Sequence, residues 1–185
     1  MKSSLIFNRI IDHLNCRISC TLFRKVGRNS IKKDYGYIVD FNEDFVVLQE
    51  IDDFNLNGYR IFATSTISKI RYNDYDMYYN DIMEWEGITD KVIYPHSIDL
   101  TNWNTIFQSV KALGLNAIIE NEKPGKEIFA IGPIIKVTDK SVSINSFDPT
   151  GLLDKELTKF KWKDITIMQL DNRYINVFSK YLRTS

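Results

Sequence analysis

Tyr35-Gly36-Tyr37-Ile38-Val39-Asp40-Phe41-Asn42-Glu43-Asp44-Phe45-Val46-Val47-Leu48-Gln49-Glu50-Ile51 is the run that decides the fold. β-Branched and aromatic residues fill 35–41 and 45–51, and the polar Asn42-Glu43-Asp44 between them is turn chemistry. The run therefore predicts two antiparallel strands. Its opening, Gly36-Tyr37-Ile38-Val39, recurs as Gly132-Pro133-Ile134-Ile135, 96 residues further on. Upstream, Phe7, Ile10, Ile11 and Leu14 stand at helical spacing and recur, again 96 apart, as Trp103, Ile106, Phe107 and Val110. Downstream, Ile67 and Ile70 return at a separation of 98 as Ile165 and Met168. Tyr75, Tyr78, Tyr79, Ile82 and Met83 return at 99 as Tyr174, Val177, Phe178, Tyr181 and Leu182. Four apolar patterns in one order predict a single architectural unit present twice.

Each unit reads as a leading helix, five short strands and a closing helix. Ser4 is the expected N-cap of the first helix and Thr101 of the second, which Gly114 would stop. Strands are expected at 16–24, 35–41, 45–51, 58–63 and 67–72. In the second unit they are expected at 116–122, 131–137, 141–147, 156–162 and 165–170. The predicted class is mainly β with flanking helices, with units at 1–87 and 99–185 and a linker at 88–98 that holds Pro95. A unit of about 90 residues buries a core of its own with little surplus stability.

This order resembles that of a small half-open barrel of the SH3-like type, and the leading helix makes it similar to the Sm-like variant. Gly36, Ile38, Phe41, Asn42 and Phe45 fit the first Sm motif: a glycine, an aliphatic two on, an aromatic five on, then an acid or amide. Gly132, Ile134, Val137 and Thr138 fit it more loosely. Where that family places its RNA-contacting Asn, this chain has Val46 and Val142. Its basic residue and Gly before the last strand are missing from 64–67 and 162–165. The resemblance thus implies the fold of two tandem small barrels without the family's RNA-binding signatures.

Composition narrows the function. Hydrophobic residues at 44% and charged residues at 26% are those of a folded chain, and no apolar run is long enough to cross a bilayer. The only cysteines are Cys16 and Cys20; flanking Ile18 in one strand they make poor disulfide geometry, so a cytoplasmic location is expected. With 24 basic and 24 acidic residues the net charge is zero, which argues against a dedicated nucleic-acid binder. The charges are partitioned, however: 9–33 is basic, while 40–53 and 73–90 contain no Lys or Arg.

Motifs for chemistry are missing. No glycine-rich phosphate loop, His-Glu-x-x-His or Gly-x-Ser-x-Gly occurs, and His13 and His96 are isolated. No cofactor and no metal site is expected. Asp52, Asp53 and Asp148 form a tempting carboxylate set, but each sits where a turn uses Asp to accept backbone hydrogen bonds. The loop at 24–33 supplies the candidate polyanion contacts, Arg24, Lys25, Arg28, Lys32 and Lys33. Phe45, Val47 and Ile51 make their strand apolar on both faces, so they are candidate interface residues covered by the other unit, a terminal helix or a second subunit. Tyr75 and Tyr79 join them as interface candidates on the closing helix. The expected function is a non-enzymatic binding module with a protein partner or self-association. RNA binding through the 24–33 loop is the alternative, and an enzyme whose site no motif betrays is the second.

Overall fold

The computed structural model of the chain describes residues 2–184. The chain divides into two compact units between Pro95 and His96. The first contains α1 (Lys2–Cys16), β1 (Cys20–Lys25), β2 (Ile31–Phe41), β3 (Phe45–Asp52), β4 (Asn55–Ala63), a 3-10 turn (Thr64–Thr66), β5 (Ile67–Arg71) and α2 (Asp74–Trp85). Its strands are antiparallel in the order β5-β1-β2-β3-β4.

Local chemistry explains the strand pairing. β3 and β4 are joined by the two residues Asp53 and Phe54, both with positive φ (43° and 62°), the geometry that matches the twist of a tight hairpin. A bulky residue is strained there. Phe54 is held by stacking on Tyr79 at 4.5 Å and by donating its backbone N–H to the Tyr79 hydroxyl. In β2, Gly36 lies so close to β3 that a Cβ would stand 2.0 Å from the Gln49 carbonyl oxygen. The β2–β3 register shifts two residues later, between Ile38 and Asp40. A bulge there bends the strand and raises its twist.

Two helices cover this sheet. α1 packs on β2 and β5, buries Ile10, and ties Arg9 to the Ile70 carbonyl at 2.8 Å. It runs through Cys16 and stops at Arg17, whose φ is 52°; the first strand thus begins at Cys20, not at 16 as the sequence predicts. Cys16 is exposed at the helix end and only Cys20 is buried. Ser4 lies inside α1 and is not its cap. On α2 the buried cluster joins Met83 to Tyr37, Ile51 and Val92, with Tyr35, Tyr79 and Ile88 packed around it.

α2 is started by a reciprocal capping box between Asn73 and Asp76. The Asp76 carboxylate is buried, and it also accepts two hydrogen bonds from Arg71, at 2.9 and 2.8 Å. Burial pushes this carboxyl up, but Arg71 and the Asn73 N–H outweigh it and hold it below the usual range. A carboxyl depressed by folding contributes stability above its unfolded pKa and loses it as pH falls through the folded one. Acid titration is expected to melt wild-type unit 1 progressively below about pH 4. Asp76→Asn should cost about 2 kcal/mol at pH 7 and flatten that acid limb. A variant whose urea midpoint tracks wild type from pH 7 to pH 2 would refute the assignment.

The second unit contains α3 (Trp103–Ala112), β6 (Asn116–Asn121), β7 (Ile128–Thr138), β8 (Ser141–Ile144), β9 (Thr158–Lys161), a 3-10 turn (Trp162–Asp164), β10 (Ile167–Leu170) and α4 (Arg173–Phe178). Its antiparallel strands run β10-β6-β7-β8-β9. α3 is capped by Asn102 in a box with Thr105, one residue beyond the expected Thr101, and Gly114 follows its end with φ 69°. The Gly132 position repeats the close approach, with a Cβ placed 2.1 Å from the Asn145 carbonyl oxygen, and the β7–β8 register shifts between Ile134 and Lys136. Ile106, Phe107 and Val110 are fully buried. Phe107 stacks on Trp162 at 5.7 Å, and Ile118, Ile131, Phe147 and Ile175 form a second buried cluster. Among the described residues, no helix is long and apolar enough to cross a membrane.

Candidate functional site

The basic loop divides once it is folded. Arg24 does not face solvent: its side chain is 0% exposed and its Nε donates to Asp34 at 2.6 Å. That corrects its candidacy as a polyanion contact. Alternation along β1 turns Arg24 to the same side as Leu22 and Asp34, where its guanidinium also lies 4.7 Å from the Phe62 ring centroid. Arg60 donates to the same Asp34 carboxylate at 2.7 Å and to Glu50, so two guanidinium groups and two carboxylates form one inward network. Burial raises the Glu50 carboxyl above its usual range against the pull of Arg60.

The other four cations are exposed but do not share one face. Phe23, Lys25 and Lys33 point to the side opposite Arg24; Lys32 points to the Arg24 side, and Arg28 sits in the turn. A residue missed by sequence reading completes the face. Lys69 of β5 is in register with Phe23, as is Lys33 of β2, and their ammonium groups lie 5.4 and 5.6 Å from the Phe23 ring centroid. Lys69 is 36 residues beyond Lys33, so only strand pairing brings it there. Ile31, 55% exposed, lies beside Lys25 on the hairpin.

The interface candidates also separate. Phe45, Val47 and Ile51 are all buried. Ile51 is covered by its own unit, through Met83 of α2 and Val92. Tyr79 is engaged inside that unit as well, edge-on to Tyr35 and stacked on Phe54. Tyr75, in contrast, is 84% exposed. α2 buries Asp76 and Met83 and turns Tyr75, Tyr78 and Trp85 outward. Tyr78 and Trp85 meet edge to face at 6.1 Å. Their neighbours Asp74, Asp81, Glu84 and Glu86 are all exposed, giving an aromatic and purely acidic surface.

Cys20, Asp148 and His13 are engaged by the fold. Burial pushes the Cys20 thiol up to about 12, far from a nucleophile's range. Asp148 accepts from the Thr150 hydroxyl and N–H at 2.7 Å, which is a turn, not an acid–base dyad. His13 is buried, with Nδ1 3.1 Å from the Ile18 carbonyl. It lines a small groove with Arg9, Asp12, Cys16 and Tyr72. Among the described residues, no three His, Cys, Asp or Glu side chains are grouped to hold a metal ion. No protein-family model, curated protein or solved structure matches the chain.

Proposed function

We propose that the chain is a non-enzymatic binding module of two SH3-like or Sm-like units, acting in the cytoplasm through protein–protein contacts. The observation that carries this reading is the outward face of α2. Trp85 at 71% exposure, Tyr75 at 84% and Tyr78 at 61% are largely in water, and large rings so placed beside exposed acids are the composition of a docking surface. A basic partner suits it, because Arg and Lys pair with the carboxylates and lie on the ring faces. The small-barrel reading is supported by the strand orders, in each of which the fifth strand lies beside the first. It is supported too by the tight glycines Gly36 and Gly132 and by register shifts at equivalent places.

The test is a titration with a defined Arg/Leu amphipathic peptide, read by tryptophan fluorescence. Docking should move Trp85 emission to the blue, and Tyr78→Ala with Trp85→Ala, read by anisotropy of the labelled peptide because the reporter is then gone, should weaken binding about 30-fold, the loss expected of two aromatic anchors. No response at low salt would end the reading.

A second reading, single-stranded RNA binding, is favoured by the row Lys69–Phe23–Lys33, where two cations and a ring stand ready for phosphates and a base. Anisotropy of a mixed-sequence single-stranded RNA should rise at low salt and fall as salt increases. Lys33→Glu with Lys69→Glu should cost at least about tenfold. Absence of binding at low salt removes this reading.

A further inference from the structure

The closing segments of the two units expose apolar side chains among charges of opposite sign. In α2, Tyr75, Tyr78 and Trp85 are exposed; at the chain's end, Tyr174, Val177 and Tyr181 are 51%, 45% and 69% exposed. Tyr75 and Tyr78 stand 99 residues before Tyr174 and Val177. At that same offset the acids Asp74, Asp81 and Glu84 are replaced by Arg173, Lys180 and Arg183. All six charged side chains are exposed. No Lys or Arg occurs from Tyr72 to Asp90, and no Asp or Glu from Asn172 to Thr184.

The α2 segment therefore carries carboxylates at the sequence positions where the second unit's closing segment carries cations, with apolar side chains between them in each. α4 itself ends at Phe178, and Lys180, Tyr181 and Arg183 follow it. The opposite sides of the two segments supply Met83 and Ile175 to the buried clusters. Arg183 is steadied by donating to the Thr150 carbonyl at 2.8 Å, which fixes one cation of the basic face in place.

We propose that the partner of the α2 face is the basic closing segment, 173–183, of a second copy of this chain. The proposal rests on the protein-binding reading above and names its partner. Charge complementarity selects the occupant: the α2 face repels another α2 face and attracts the face built from the equivalent positions of the other unit. The equal numbers of acids and bases leave no net repulsion between copies. Each chain carries both halves, so two copies can exchange them about a twofold axis or pass them on from copy to copy.

Sedimentation velocity of the 185-residue chain, from micromolar to submillimolar concentration and at two salt concentrations, tests this. The expected result is self-association that weakens with salt. Asp81→Lys and Lys180→Asp should each weaken it about tenfold, and the chain carrying both substitutions should recover it, because the pair is then reversed between copies. Tyr78→Ala with Trp85→Ala should weaken it about 30-fold with the circular dichroism spectrum unchanged. A chain that stays monomeric at low salt, or a double charge reversal no stronger than the single ones, overturns the proposal. If such a monomer still shifts its Trp85 emission with the basic peptide, only the second-copy assignment fails. If it responds to neither, the protein-binding reading fails with it.

Discussion

Asp34→Asn is expected to destabilise the first unit by about 3–5 kcal/mol, the cost of stranding a buried charge by removing its partner. Arg24 is 0% exposed and Asp34 1%, and the Asp34 carboxylate receives both Arg24 and Arg60. An amide cannot neutralise either cation, and one of its two terminal atoms is itself a donor facing donors. The pair is not stabilising in the sense that a core leucine is. Bringing both charges out of water costs several kcal/mol, which their attraction roughly offsets. Replacing Arg24 by Met in the Asp34→Asn background should accordingly restore part of the loss, because the stranded charge is then gone. Urea denaturation at pH 7 reads both effects. An Asp34→Asn protein within about 1 kcal/mol of wild type would mean that solvent reaches the network and that the burial described above is wrong.

The second large effect is steric. Gly36→Ala places a methyl carbon 2.0 Å from the Gln49 carbonyl oxygen, and Gly132→Ala places one 2.1 Å from that of Asn145. Both obstacles are backbone in the neighbouring strand, so relief requires the strands to separate and not merely a rotamer to change. A cost of about 3 kcal/mol or more is expected for each. Gly132 adds backbone strain, since its φ is 151°. Gly125→Ala is the control. Its φ of 74° also disfavours a side chain, but nothing lies within 4 Å of the new carbon, so about 1 kcal/mol is expected. Thermal unfolding separates the cases. Equal losses for Gly125→Ala and Gly36→Ala would show that conformational freedom, not the close approach, is what Gly36 provides.

Periodicity made much of the fold legible. The segments 35–41 and 45–51 lie within β2 and β3, and Ile106, Phe107 and Val110 form the buried stripe of α3 as their spacing requires. Boundaries were less legible, because the competing signals are local and nearly equal. Thr101 and Asn102 are both good caps, and only the second reaches the Thr105 N–H. The run 16–24 has strand composition, yet α1 carries on to Cys16 before Arg17 turns the chain. The orientation of α2 was not legible, since its tyrosines satisfy helical periodicity without saying which of them is inside. Asp76 lies inside because Arg71 and Asn73 meet its carboxylate, a combination no hydrophobicity pattern encodes.

The sequence by itself determined the kinds of element, their order and the partition of charge, because these depend on residues close together in the chain. The tertiary structure alone decided which charges reach solvent. Arg24 was withdrawn from the basic surface by Asp34 and Arg60, and Lys69 was added to it by pairing of β5 with β1. The physical reason is that a charged side chain remains outside unless folding supplies an opposite charge at hydrogen-bond distance, and that distance is set by strand register, not by separation along the chain.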